Sequence, residues 1–126
     1  MIDHIGIAVR DYAQSRDFYL KALAPLGIGM IMELGPEITG RGRVGGMGAN
    51  GKPFFWIAEN AIGHLHLAFV AETRAQVDAF HAAALEAGAT DHGAPGLRPI
   101  YHPNYYGAFV IDPNGVNLEA VCHAPA

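Results

Sequence analysis

The chain has 126 residues, of which 51% are hydrophobic, and this is enough apolar material to bury one core without disulfides or a structural metal. Eight basic and twelve acidic residues give a net charge of -4 with no basic run, which excludes nucleic acid and anionic membranes as favoured partners. The chain has one cysteine, Cys122, and neither a signal segment nor an apolar stretch of about 18 residues, so we expect a cytoplasmic protein.

The first half of the chain predicts a strand, a helix and three further strands. Apolar and polar residues alternate over Ile2–Val9, and Asp11 is a suitable N-cap for a helix with apolar residues at helical spacing. Asn50 and Gly51 form a strong hairpin signal between the last two strands. The three later strands are predicted at 28–34, 43–48 and 54–59. This order is βαβββ.

The second half repeats the same order of elements. A strand is predicted at 64–71, and Thr73 is a candidate N-cap for a helix that stops at Gly88. The segment 90–103 is rich in Gly and Pro, and we expect one short or irregular strand near 99–102. The last two strands, at 105–111 and 116–123, are joined by Asp112-Pro113-Asn114-Gly115, the residue order of a type I turn.

A shift of 62 residues relates the two halves. It places His4 on His66 and matches four further pairs within about twenty positions, which indicates an internal duplication. These pairs are Gln14 with Gln76, Phe18 with Phe80, Ala22 with Ala84, and Leu23 with Leu85. The same shift takes Glu119 back to Ile57. We therefore predict one domain over 1–126, with module one at about 1–60 and module two at about 63–123.

Three strands carry a candidate metal ligand on the face opposite their larger apolar residues. His4 and His66 occupy equivalent positions, and Glu119 alternates with the apolar residues Leu118 and Ala120 of the last strand. Two imidazoles and one carboxylate are donors that bind a divalent metal and leave positions open. The pattern also fits two half-buried structural histidines and a solvated glutamate, because polar residues belong on an exposed face.

The order of these motifs resembles the vicinal oxygen chelate superfamily. The matching pieces are HIGIAV before an FY-containing helix, HLAFV before a second helix, and AFVIDPNGVNLEAV near the end. This superfamily includes glyoxalase I, fosfomycin-resistance transferases, extradiol dioxygenases, methylmalonyl-CoA epimerase and the bleomycin-resistance binding proteins. The resemblance implies an α+β fold in which two βαβββ modules form a curled, cup-like mixed sheet with helices on the outside.

The resemblance also implies a set of metal ligands. In metal-binding members the ligands come from the first and last strands of the modules, and the matching residues here are His4, His66 and Glu119. One divalent ion, Zn, Ni, Mn or Fe, is therefore expected. Members such as glyoxalase I place a carboxylate at a fourth position, where this chain offers Phe55, Trp56 or Ile57. The site thus resembles the three-ligand members.

Further pocket residues are predicted on the loop and strand before the last hairpin. If the hairpin turn is a plain two-residue one, Tyr106 faces the cup as proton donor or substrate contact; if Gly115 forms a bulge, Tyr105 takes that place. Three further residues are predicted to bind substrate, namely Trp56, Arg98 and His102. His123 shares the face of Glu119 but lies roughly 13 Å along the strand, too far to join the same metal.

These observations favour a glyoxalase-like metalloenzyme that acts on a small oxygen-rich substrate. The reaction would be a lyase, isomerase or related transferase reaction in which the metal chelates adjacent oxygens, with Glu119 and Tyr105 or Tyr106 as catalytic residues. One alternative is a metal-free binding protein of the bleomycin-resistance type, and another is an Fe(II) extradiol-type dioxygenase. We expect a homodimer, in which the site lies within one chain or is shared between two.

Overall fold

The structure, a computed structural model, describes residues 1–61 and 63–126. The described residues form eight strands and three α-helices in the order βαβββ twice, where the shortest of the three helices is an addition in the first repeat. The α+β class is therefore confirmed. The first repeat consists of β1 (Ile2–Val9), α1 (Tyr12–Leu23), β2 (Gly29–Leu34), α2 (Pro36–Thr39), β3 (Val44–Ala49) and β4 (Lys52–Glu59). The second consists of β5 (Leu65–Val70), α3 (Arg74–Glu86), β6 (Thr90–Leu97), β7 (Tyr106–Ile111) and β8 (Asn117–Cys122). No described helix is long and apolar enough to cross a membrane.

The chain divides into two compact units whose boundaries differ from those of the predicted modules. One unit is His4–Leu65, and the other combines Met1–Asp3 with His66–Ala126. The first three residues belong with the second half because the Val70 amide donates a hydrogen bond of 3.0 Å to the Met1 carbonyl. The start of β1 is therefore part of one unit and its remainder part of the other.

The unit His4–Leu65 contains strands in the order β2-β3-β4-β1. β3 and β4 form the predicted hairpin, in which Asn50 and Gly51 both have positive φ angles, 54° and 75°, as a type I′ turn requires. β1 runs parallel to β4, and α1, whose N-cap Asp11 accepts a hydrogen bond from the Gln14 amide, connects β1 to β2. The pairing of β1 with β4 places the strand of His4 beside the strand of Trp56.

The other unit contains strands in the order β5-β8-β7-β6. β5 runs parallel to β8, and α3 begins at the predicted N-cap Thr73 and covers one face of β7 and β8. Four fully or almost fully buried side chains form the core between helix and sheet, namely Val77, Ala108, Ala120 and Cys122. Residues alternate in a strand, so Glu119 lies on the face away from α3.

The strand expected near 99–102 lies earlier in the chain, at Thr90–Leu97, and this prediction was wrong. Bulges near Gly93 and Gly96 interrupt the pairing of β6 with β7, so the segment shows no regular alternation in sequence. Pro95 is compatible with β6 because the strand is terminal in its unit, where a missing amide donor costs no ladder bond. The residues from 99 to 104 instead form turns that lead to Tyr105.

Candidate metal centre

Glu119 is a buried carboxylate with one partner on β5 and one on the residue immediately before β7. Its side chain is 1% exposed, and its backbone pairs with Ala68 on one side and Phe109 on the other. Oε1 lies 2.8 Å from Nε2 of His66, and Oε2 accepts a hydrogen bond from the Tyr105 hydroxyl. A carboxylate without such partners would be costly to bury. The interpretation of Glu119 as a solvated residue is therefore wrong.

The ring of His66 is oriented by the backbone of β8. Its Nδ1 lies 3.1 Å from the carbonyl oxygen of Asn117, which can only accept a hydrogen bond, so Nδ1 carries a proton. Nε2 then points at Glu119. Metal-binding histidines in proteins are commonly fixed in this way, with one nitrogen donating to a carbonyl and the other available as ligand.

Tyr105 reaches Glu119 because of the turn between β7 and β8. The Gly115 amide donates to the Asp112 carbonyl at 3.0 Å, and Gly115 has a φ of 85°, which makes a type I turn followed by a glycine bulge. The bulge pairs Phe109 with Glu119 and thereby places Tyr105 on the same face as Glu119. The sequence left two registers possible for this hairpin. The structure has the one in which Tyr105 lies next to the Glu119 carboxylate.

Tyr105 is a protonated phenol in this environment. Burial raises the pKa of its hydroxyl far above the ordinary value, and the neighbouring charge and hydrogen bond of Glu119 raise it further. The side chain is 7% exposed. Tyr105 can therefore donate a hydrogen bond to Glu119, but it does not supply a base near neutral pH.

Tyr106 points to the opposite face of the sheet. It pairs with Cys122, and its hydroxyl donates a hydrogen bond of 2.7 Å to Asp78 of α3. The guanidinium of Arg74 lies 5.2 Å from the centre of the Tyr106 ring. The alternative in which Tyr106 occupies the position beside Glu119 is thus wrong, since the bulge at Gly115 shifts the register by one residue.

Gly107 makes room for the contact between Tyr105 and Glu119, and the sequence reasoning missed it. A Cβ atom at this position would lie 3.1 Å from Oε2 of Glu119 and 3.3 Å from Cε1 of Tyr105. Both distances are shorter than ordinary van der Waals contact. A signal was present, because a glycine inside a strand often marks a close approach of neighbouring groups.

In the other unit, His4 lies beside Trp56. His4 is 6% exposed, and its ring meets the Trp56 ring edge-on with centroids 6.3 Å apart. Gly46 opposite Trp56 permits this, because a Cβ there would lie 2.8 Å from the indole ring. Trp56 pairs with Gly6, two residues after His4.

Trp56 is the counterpart of Glu119 in the duplication. Glu119 pairs with Ala68, two residues after His66, just as Trp56 pairs with Gly6, two residues after His4. The shift of 62 residues, which matched Glu119 with Ile57, therefore changes to 63 for the last strand. Trp56 therefore occupies in the first repeat the pairing position that Glu119 occupies in the second.

Arg98 and His102 have partners within their own unit. The Arg98 guanidinium lies over the Phe109 ring at 5.4 Å and donates a hydrogen bond of 2.8 Å to the Ala94 carbonyl. Phe109 in turn lies 5.9 Å from the His66 ring. His102 contacts His123, with Nε2 and Nδ1 2.8 Å apart. Arg98 therefore lies over the ring that is next to His66, whereas His102 contacts His123 at the end of β8.

The sequence of the chain matches one family model, that of the Glyoxalase/Bleomycin resistance protein/Dioxygenase superfamily, over residues 1–120. The chain belongs to this superfamily. Membership agrees with the duplicated βαβββ order and with the resemblance noted in the sequence. No curated protein sequence matches this superfamily member.

Several solved structures share the fold of this superfamily member. The Mn(II)-bound glyoxalase from Novosphingobium aromaticivorans has a TM-score of 0.73 at 20% identity, and the alignment covers 98% of this chain and 39% of that chain. The 2,3-dioxygenase LapB from Pseudomonas sp. KL28 has a TM-score of 0.70 at 15% identity, with 97% and 42% covered. A NAD-dependent benzaldehyde dehydrogenase from Legionella pneumophila has a TM-score of 0.57 at 16% identity, with 94% and 96% covered.

These likenesses establish the fold and leave the reaction to be argued from the residues. The three structures are described by three different activities, and fold alone does not determine function. The chain spans about two fifths of the glyoxalase and LapB chains. The activity of those longer proteins is therefore not transferred to this one.

Proposed function

We propose that this protein is a glyoxalase-like metalloenzyme in which His4, His66 and Glu119 hold one divalent ion. The observation that supports this most directly is the buried Glu119 carboxylate with Nε2 of His66 at 2.8 Å. The Asn117 carbonyl holds the His66 ring so that Nε2 points at the carboxylate. His4, the third member of the candidate ligand set, is also buried.

The chemistry of the donor set fits a divalent ion. Two imidazoles and one carboxylate are suitable ligands for Zn, Ni, Mn or Fe, and three protein ligands leave positions for water or substrate. When bound, the ion would supply Lewis-acid stabilisation of the negative charge that develops on a substrate oxygen. Trp56, at the position of the fourth ligand, adds no donor atom of a metal-binding type.

The chain's own residues hold the carboxylate and shape its surroundings. Tyr105 keeps Oε2 of Glu119 in one orientation through its hydroxyl proton, which leaves Oε1 on the side of His66. The Phe109 ring forms an apolar surface beside His66, and the positively charged guanidinium of Arg98 lies over that ring. We therefore propose a small oxygen-rich substrate, with Trp56 and Arg98 as its contacts.

We keep lyase or isomerase chemistry as the first proposal and Fe(II) dioxygenase chemistry as the second. The second is favoured by the ligand types, because two histidines and one carboxylate form the facial triad of non-haem iron oxygenases. A metal-free binding protein is less favoured, since such a protein would not need a buried carboxylate between an imidazole and a phenol.

Metal loading tests the proposal. The purified protein, stripped with a chelator, is reloaded separately with Zn²⁺, Ni²⁺, Mn²⁺ and anaerobic Fe²⁺, and each form is assayed with α-ketoaldehyde adducts and with catechols. We expect turnover that depends on the metal and is lost in His4→Ala and Glu119→Ala. Oxygen uptake with the iron form alone would favour the dioxygenase. Ligand binding that is equal with and without metal would contradict the enzyme proposal.

We also propose a homodimer, and mixing of variants tests whether a site is shared between chains. His4→Ala and Glu119→Ala are each inactive in the proposal, and the two are mixed and allowed to exchange subunits. Recovery of activity would indicate that His4 and Glu119 of one site come from different chains. Sedimentation measurements on the wild type give the oligomeric state itself.

A further inference from the structure

Two histidines connect Asp3 of β1 to the loop that precedes Tyr105. Nε2 of His123 lies 2.9 Å from Oδ1 of Asp3, and Nδ1 of His123 lies 2.8 Å from Nε2 of His102. Nδ1 of His102 accepts a hydrogen bond of 3.1 Å from the Asn104 amide. The Asp3 side chain is 4% exposed. We call this series the Asp3–His123–His102 chain.

The backbone determines the direction of every hydrogen bond in this chain. The Asn104 amide can only donate, so Nδ1 of His102 is the acceptor and Nε2 of a neutral ring carries the proton. His102 then donates to Nδ1 of His123, and His123 donates from Nε2 to the Asp3 carboxylate. With both rings neutral and Asp3 ionised, each of these bonds contains one proton.

The same rings enclose Tyr105. The centroids of His102 and His123 lie 5.5 and 5.4 Å from that of Tyr105, both in edge-on geometry, and Tyr101 lies 4.8 Å away. The Tyr105 amide also donates to the His102 carbonyl at 3.2 Å. Movement of the His102 ring would therefore remove one wall of the space in which the Tyr105 ring lies.

We propose that the Asp3–His123–His102 chain is a positioning device that holds the Tyr105 hydroxyl on Glu119. Its members act through Tyr105 and do not contact the substrate, which revises the prediction that His102 binds substrate. The effect on metal binding rests on the proposed function, since it requires Glu119 to be a ligand. The effect on Tyr105 does not, because the phenol donates its hydrogen bond directly to the carboxylate.

Two substitutions of His102 separate positioning from general structural support. The amide nitrogen of Gln reaches the place of Nε2, so His102→Gln keeps a donor toward His123. The shorter Asn reaches only the place of Nδ1, so His102→Asn keeps an acceptor for the Asn104 amide and loses the link to His123. His81→Gln is the matched control, because the His81 ring also bonds to a polar side chain, that of Asp91 at 2.9 Å, but His81 lies on α3.

The readout is the NMR signal of Tyr105 in protein labelled with ¹³C at the ζ carbon of tyrosine, assigned with Tyr105→Phe. We expect the wild-type signal in His81→Gln and a shift toward the signal of solvent-exposed tyrosine in His102→Asn. His102→Gln, which keeps the link to His123 but lacks the ring, should give a smaller shift. Zn²⁺ affinity, measured by competition with a chromophoric chelator, should fall about tenfold in His102→Asn and recover in His102→Gln.

The two measurements distinguish the two proposals. An unchanged Tyr105 signal in folded His102→Asn would overturn the positioning role, whatever the zinc affinity. A shifted signal in a protein whose wild type binds no Zn²⁺ would support positioning and contradict the metal proposal. If His102→Asn does not fold, Asp3→Ala replaces it, since the methyl group of Ala removes the acceptor for His123. An unshifted signal there would also overturn the role.

Discussion

Tyr105 donates its hydroxyl proton to Glu119 from the position immediately before a neighbouring antiparallel strand, and the two residues are 14 positions apart in the chain. Their meeting depends on the bulge at Gly115, which pairs Phe109 with Glu119. A register slip of one residue would reverse the facing of every side chain on β7 and bring Tyr106 to Glu119 instead. A single glycine in the turn thus selects the phenol of the candidate site.

Tyr105→Phe should weaken both stability and metal binding. It removes a hydrogen bond to a buried carboxylate, and we expect the free energy of unfolding to fall by about 2 kcal/mol. The affinity for the proposed divalent ion should fall roughly 10- to 100-fold, because Glu119 loses the group that orients it. Urea denaturation and a chelator competition measure the two effects.

Tyr106→Phe is the matched control for Tyr105→Phe. Its hydroxyl contacts Asp78 on the exposed side of α3, so we expect a change below about 1 kcal/mol and an unchanged metal affinity. Equal losses of metal affinity in the two variants would show that the register assigned to β7 does not determine the site.

Gly107→Ala should disturb the contact between Tyr105 and Glu119. The new methyl group would meet Glu119 and Tyr105 at 3.1 and 3.3 Å, and overpacking of this kind costs about 1 to 3 kcal/mol. Gly29→Ala is a suitable control, because a Cβ there has no neighbour within 4 Å. Thermal unfolding and metal titration of both variants check this, and equal behaviour of the two would contradict it.

Trp56→Glu should strengthen metal binding if Trp56 occupies the place of a fourth ligand. Glu in this position would add a carboxylate beside His4, and we expect the affinity to rise about tenfold, which is about 1.4 kcal/mol, over that of Trp56→Gln. The Gln variant has the same shape without the charge. Isothermal titration measures the difference, and a weaker affinity for the Glu variant would contradict the assignment.

Glu33 should contribute to stability at neutral pH and lose that contribution in acid. The Arg16 hydrogen bond lowers the pKa of the Glu33 carboxyl below its ordinary value of 4.5, and the Tyr12 hydrogen bond adds to this. Because the folded pKa is lower, the contribution is fully present above the unfolded pKa and disappears as pH falls through the folded one. Both side chains of the ion pair are partly exposed, so solvent screening keeps its contribution to stability small.

The measurement for Glu33 compares the wild type with Glu33→Gln in urea at two pH values. The wild type should be more stable at neutral pH, and the difference should vanish well below the ordinary carboxyl pKa of 4.5. A difference that persists unchanged in acid would mean that the charge of Glu33 does not stabilise the fold.

Local sequence signals predicted most elements of the fold. Both N-caps, Asp11 and Thr73, accept hydrogen bonds from the expected amides, and β1 has the predicted bounds. Asn50 and Gly51 form the hairpin. These features depend on residues near one another in the chain, which is why the pattern of one segment was sufficient to predict them.

Features that depend on pairing between strands could not be predicted in this way. The strand at Thr90–Leu97 contains two bulges and therefore lacks alternation, and the partner of Glu119 depends on how the Gly115 turn sets the register. The shift of 62 residues gave Ile57 as the counterpart of Glu119 in the first module. This was wrong because the second module has gained one residue. Only the observed pairing identifies Trp56 as the counterpart.

The central claim is that His4, His66 and Glu119 form a three-ligand metal site, and the stoichiometry of bound metal tests it most directly. Equilibrium dialysis of chelator-stripped protein against Zn²⁺, Ni²⁺, Mn²⁺ and anaerobic Fe²⁺ gives the number of ions per chain. We predict one ion per chain for the wild type with at least one of these metals, and loss of that ion in Glu119→Gln and His66→Ala. No stoichiometric binding of any of the four metals, or equal binding by the wild type and Glu119→Gln, would contradict the claim.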